Sequence, residues 1–108
     1  MSIGMLLLLV WVHFVADFLA QTDKMAQNKS TSMKWLSIHI AVYSIFFLPF
    51  GVWFAIANGL AHMMTDYFTS RWTSYLWKKE ERHWFFVVIG LDQAIHLSCI
   101  VLLFQWLV

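Results

Sequence analysis

Two stretches of this chain, residues 3–20 and 84–108, are apolar almost throughout and carry a single carboxylate each. Each approaches the roughly 20 residues that an α-helix needs to cross a hydrocarbon core. That pattern constrains the fold more than any other feature. In water, 108 residues would make one modest domain with a thin core. Here apolar residues make up 61% of the chain and charged residues 12%, against about 25% charged in a soluble domain. Lipid is the better-matched solvent, and the lipid bilayer is the first expected partner.

A net charge of +1 gives no electrostatic basis for binding nucleic acid. The one cysteine, Cys99, lies inside an apolar run and reads as a small packing residue. The first apolar run is not read as a cleaved signal. No Lys or Arg precedes it, no small-x-small signature ends it, and His13 and Asp17 lie within it.

Four helices are expected, over about residues 3–20, 33–48, 52–69 and 84–107, forming a single all-α transmembrane domain over residues 1–108. Ser30, Thr31 and Ser32 offer N-cap oxygens to the second helix. Pro49-Phe50-Gly51 ends it, because proline cannot continue the helical hydrogen bonds and glycine permits the turn. Two polar connectors, residues 21–32 and 71–83, remain. In the second, Trp72, Leu76 and Lys79 recur at helical spacing, which predicts a short interfacial helix.

All seven Lys and Arg residues fall in these connectors or at their edges. With four spans both connectors lie on one side, and the positive-inside rule makes that side cytoplasmic. Both termini then face away from the cytoplasm. Trp35, Trp72, Trp77 and Trp84 fall near the inner interface and Trp53 and Trp106 near the outer one, as an aromatic belt requires.

Ionisable groups in hydrocarbon are costly and need partners. Here they recur four residues apart: His13 and Asp17, followed by Gln21; His39 and Tyr43; Asn58, His62 and Asp66; Asp92 and His96. That spacing puts each set on one helix face. Asp17 and Asp66 come just before the cytoplasmic ends of their helices and His39 just after the start of its own. Asp92 lies about 12 Å into the fourth helix. The stripes therefore meet in one layer in the cytoplasmic half of the bilayer. His13-x-x-x-Asp17-Phe18 also matches His62-x-x-x-Asp66-Tyr67, which suggests a parallel repeat of two helical hairpins.

Imidazole with carboxylate suits a divalent metal such as zinc, manganese or iron, and helix bundles build such sites from inward-facing side chains. The candidate ligands are His13, Asp17, His62, Asp66, Asp92 and His96, enough for one ion or two. Gln21, His39, Asn58 and Gln93 are the candidate supporting groups or substrate contacts. A bound metal brings water within reach of deprotonation near neutral pH, and Asp17, Asp66 or Asp92 is the candidate base. His and Asp pairs can also simply tie helices together in lipid.

The stretch His13-Phe14-Val15-Ala16-Asp17-Phe18-Leu19-Ala20-Gln21-Thr22-Asp23, with Asn28-Lys29-Ser30, resembles the start of a family of short bacterial and phage membrane proteins catalogued only as a domain of unknown function. Residues 58–71 and 84–96, including Gly90-Leu91-Asp92-Gln93-Ala94-Ile95-His96, also match its pattern. The resemblance spans nearly the whole chain and implies a polytopic protein of the bacterial inner membrane. It implies no activity. A weaker similarity, to proteins named membrane-bound metal-dependent hydrolases, rests on histidines and aspartates in short hydrophobic chains and adds to the hydrolase expectation by analogy.

Three functions follow as expectations. The first is a metal-dependent hydrolase of a phosphoester or lipid-linked substrate, acting at the cytoplasmic face. The second is a transporter or channel for protons or metal ions, which needs polar residues in the outer half; only Ser44, Gln105 and little else are there. The third is a non-enzymatic membrane factor of holin or exclusion type. A chain this short is also a candidate homo-oligomer.

Overall fold

The computed structural model describes residues 2–108, and every regular element among them is helical. Helix α1 (Ile3–Phe14) starts at Ser2, whose hydroxyl accepts from the Met5 amide at 3.1 Å. It runs without a break into a π-helical turn, Val15–Leu19, closed by the Ala20 amide on the Val15 carbonyl at 2.8 Å. Helix α2 (Asp23–Asn28) is short. Thr22 caps it through the Met25 amide, and Asp23 in its first turn complements the helix dipole. Helix α3 (Met33–Ile45) is capped by Ser32. A single 3-10 turn, Leu48–Phe50, leads through Gly51 into α4 (Val52–Lys78). Gly51 has φ of 138°, a backbone region open to glycine and strained for other residues. Helix α5 (Arg82–Leu107) completes the chain.

The layout differs from the sequence expectation in four places, each with a local cause. Residues 21–32 are not a bare polar connector: the Thr22 cap nucleates α2 there, giving five α-helices rather than four. The first helix departs from α-geometry at Val15. The helix expected to reach residue 48 stops at Ile45, where the chain tightens into the 3-10 turn that carries Pro49, a residue with no N–H to continue the α-helical ladder. The helix expected to end at residue 69 continues to Lys78, because residues 70–78 contain no Gly or Pro to stop it. The separate interfacial helix is therefore the last part of α4. Glu80, at φ of 59°, makes the reversal into α5, and the Glu81 amide reaches back to the Leu76 carbonyl.

Helix α4 is the central element, packed along both α3 and α5, while α1 and its π turn dock against α3 and α5. At Gly59 on α4 an added Cβ would collide with the Ser44 hydroxyl of α3. An apolar cluster of Leu9, Tyr43, Phe47, Phe54 and Ile100 fills one end of the helix assembly. Next to it lies a buried polar layer of His13, Asp17, His39, Asn58, His62, Asp66, Asp92 and His96, flanked by buried Leu36, Ile40 and Val88. Large apolar side chains instead cover the outside, among them Leu7, Trp11, Leu60, Met64, Phe68, Phe86 and Leu102. By length and composition, α5 is the one described helix long and apolar enough to cross a membrane; the apolar helix over Ile3–Leu19 is shorter.

Candidate functional site

The buried polar layer gathers around Asp17. The π turn that carries this residue inserts one extra backbone position per turn, so the chain re-aims its side chains after His13. Ala16 and Asp17 turn inward, and Phe18 and Leu19 turn out. The Asp17 carboxylate then lies 3.0 Å from His39 Nε2 and 3.0 Å from His62 Nε2. His96 Nδ1 stands at 3.7 Å and His13 Nε2 at 3.8 Å. Four histidines from four helices thus share one carboxylate.

Asp66, one turn beyond His62 on α4, is the second centre. Its carboxylate lies 3.5 Å from His39, 3.6 Å from His62 and 3.9 Å from His96. Lys29, just past α2, donates to it from Nζ at 3.1 Å. Asp92 on α5 stands 3.4 Å from His96 Nε2 and is bonded to the Thr69 hydroxyl. The same Thr69 oxygen lies 2.9 Å from the Thr65 carbonyl, so its single proton serves one of these two acceptors. The rings of His62 and His96 stack with centroids 3.8 Å apart.

Two polar side chains brace this set. His13 is held between Tyr43, whose hydroxyl meets Nδ1 at 2.9 Å, and the Gln93 carbonyl oxygen, which meets Nε2 at 2.8 Å. The Gln93 amide nitrogen donates to Asp17 at 3.3 Å and to Asp92 at 3.2 Å. Bracing is incomplete, however. Both ring nitrogens of His39 and of His96, and Nδ1 of His62, are buried without a hydrogen-bond partner. Buried polar atoms in native proteins are nearly always satisfied. Three buried carboxylates here face one ammonium, Lys29, so their charge has to be balanced by protonated imidazole or by a cation.

The donor atoms are close enough to share an ion. One ligand atom each from Asp17, His39, His62 and Asp66 lie within 4.8 Å of one another. Two further groups overlap with this one: His13, Asp17 and His96, and Asp66, Asp92 and His96. Nitrogen and oxygen donors in this ratio fit a first-row divalent metal, and soft metals that need thiolate have no ligand here.

All six candidate ligands from the sequence therefore come together. Among the supporting candidates, His39 stands inside the ligand group rather than behind it. Gln93 bridges three members of the cluster. Asn58 is buried one turn from His62 with its amide nitrogen unpartnered, and Gln21 lines the adjoining cleft. Sequence reasoning passed over Lys29, Thr69 and Ser70 as site residues. The only signal for Lys29 was its place in the Asn28-Lys29-Ser30 stretch; Thr69 and Ser70 continue the α4 face that carries His62 and Asp66.

The cleft beside the cluster has a volume near 560 Å³. Asp17, Asp66, Asp92 and Gln93 form its polar end, and α2, the end of α4 and the start of α5 form its walls.

Fold and site together define a protein that is all-helical over the described residues, with buried His and Asp groups close enough together to hold a metal ion. The chain belongs to the family DUF3307, described as a protein of unknown function, whose model matches residues 5–108. No curated protein and no solved structure matches it.

Proposed function

We propose that this chain is a polytopic protein of the bacterial inner membrane that binds a divalent metal in its His/Asp cluster and hydrolyses a phosphoester or lipid-linked substrate at the cytoplasmic face. The observation that carries the metal reading is the Asp17, His39, His62 and Asp66 group, compact to 4.8 Å and rich in unpartnered imidazole nitrogen. In a purely structural cluster His39, for one, keeps its second ring nitrogen, Nδ1, buried without a partner, at a cost of about 1–3 kcal/mol. A metal takes the one lone pair that each neutral imidazole offers.

The membrane reading rests on the inverted distribution of side chains, polar within and apolar without. In this topology α1 with its π turn, α3, α4 and α5 cross as a four-helix bundle, and α2 lies with the basic residues at the cytoplasmic end. Helix α3, at 13 residues, reaches about 20 Å and relies on the 3-10 turn and on local thinning of the bilayer. A site reached from one side is favoured over a through path. Leu9, Phe47, Phe54 and Ile100 each lie one or two turns from the cluster on its far side, and all are buried and apolar.

In the catalytic reading, Asp17, His39, His62 and Asp66 would hold the metal, and it would supply Lewis acidity to the phosphoester. Asp92, at the polar end of the cleft, is the base. Water adds to phosphorus as the ester P–O bond breaks. The proton lost by the water passes to Asp92 and then to the leaving alkoxide.

The test is metal content of the detergent-purified protein by mass spectrometry, beside a His62→Ala, Asp66→Ala double variant. Stoichiometric zinc, manganese or iron in the parent and its loss in a folded variant is the expected result. A folded parent that takes up none of the three after incubation overturns the reading.

A further inference from the structure

The walls of the cleft differ from one another in chemistry. Along α4, Ser70, Ser74 and Lys78 recur at a helical period on the cleft side. Along α5, Phe85 and Ile89 line it one turn apart and lead down to Asp92. Phe18, from the π turn, adds a second apolar edge, and Lys29 enters beside Asp66. A hydroxyl and ammonium wall thus faces an apolar one, with the metal-ligating carboxylates at the end.

Ser70 makes this more than a surface groove. It is 7% exposed, lines the cleft, and its hydroxyl has no hydrogen-bond partner. The Gln21 carbonyl oxygen, also on the cleft, is unpartnered too, and as an acceptor it suits a hydroxyl of the ligand rather than the phosphate. A buried hydroxyl in a cleft that two lysines also line offers donors of the kind a phosphate group takes up.

We infer that the cleft is the binding site of a phosphate-bearing amphiphile. Lys29, Lys78 and Ser70 hold the phosphate, and Phe18, Phe85 and Ile89 receive the apolar tail. This rests on the proposed metal site and names the substrate class it would act on. It also gives Lys29 a coupling role. Without a metal, its ammonium is engaged by Asp66 at 3.1 Å. A divalent ion held by Asp66 would take over that neutralisation and leave Lys29 available to the phosphate. Metal and phosphate should therefore strengthen one another's binding, as linkage requires.

The experiment is binding of dioleoyl phosphatidic acid in dodecylmaltoside micelles to the full chain, with and without zinc or manganese. Phosphatidylcholine, glycerol 3-phosphate and inorganic phosphate are the comparison probes. Phosphatidic acid is expected to bind well ahead of phosphatidylcholine and more tightly with metal. A Lys29→Gln, Lys78→Gln variant should weaken it about tenfold or more, as loss of charge-assisted bonds predicts, while metal is still retained, since Lys29 only competes with it for Asp66. Ser70→Ala, a minimal change, should weaken it less and leave the melting temperature alone.

Binding of the two water-soluble phosphates as tightly as phosphatidic acid assigns the site to free phosphoesters and removes the tail from the inference. Equal binding of phosphatidic acid and phosphatidylcholine, or no response to the lysine and serine variants, overturns it. Phosphate binding by a protein that takes up no metal would remove the metal reading and the coupling, and leave the anion site standing.

Discussion

Asp17 is the residue on which the cluster converges, because its two oxygens are shared among His13, His39, His62, His96 and Gln93. Asp17→Asn keeps the shape and removes the charge. It is expected to abolish metal retention through gel filtration while the protein still elutes as the parent does. Gln93→Ala removes a brace without touching the donor atoms, and should lower metal affinity about 10–100-fold, the usual effect of losing an outer contact. A competition titration with a chromogenic chelator separates the two variants. If Gln93→Ala proves as severe as Asp17→Asn, the glutamine is itself a ligand.

The four-residue spacings were enough to place His13, Asp17, His62, Asp66, Asp92 and His96 on inward stripes. Lys29 was not legible in the same way: it sits in a polar stretch where a lysine ordinarily meets water or headgroups. Its reach to Asp66 depends on α2 folding that stretch over the cluster. Thr69 was hidden for a different reason, since its partner Asp92 lies 23 residues away on another helix.

Among the elements, the close approach of α3 and α4 holds His39 against His62 and Asp66, with the His39 and His62 rings 5.1 Å apart. Gly59 permits that approach next to Ser44. Gly59→Leu is expected to destabilise the fold by about 1–3 kcal/mol through overpacking, read as a lower midpoint in a denaturant titration in detergent micelles. Gly59→Ala should cost far less, and nearly nothing when combined with Ser44→Ala, because the obstructing atom is the serine hydroxyl. A Gly59→Leu protein as stable as the parent would mean the two helices separate there freely.

Element identity was legible wherever a strong punctuator stood: the Ser32 cap fell where expected, and Pro49-Phe50-Gly51 does separate α3 from α4, although α3 itself already ends at Ile45. Element length was less so. Polar residues 70–78 looked like the end of a span, yet polarity does not end a helix that has no Gly or Pro and that still lines a cleft. The π turn left no sequence trace, since the same residues satisfy a regular helix; only the inward position of Asp17 shows what it achieves.

At the scale of the whole molecule, the proposed topology makes a claim that the single long apolar helix α5 does not make by itself. If α5 alone crossed, Thr31 and Leu48 would lie on one side, because the chain between them would not traverse the bilayer. If α1, α3, α4 and α5 all cross, Thr31 and Glu80 share the cytoplasmic side, and Leu48 lies opposite with both termini. All three residues are exposed, so each can be read by chemistry. The lone native thiol is removed first, by Cys99→Ser. Single cysteines at Thr31, Leu48 and Glu80 are then challenged with a membrane-impermeant maleimide on intact spheroplasts. Leu48→Cys is expected to react at once, and Thr31→Cys and Glu80→Cys only after permeabilisation. Matching reactivity at positions 31 and 48 would mean that α3 does not cross, which overturns the four-helix topology. The apolar exterior of α3 would then be left to be covered by something other than lipid.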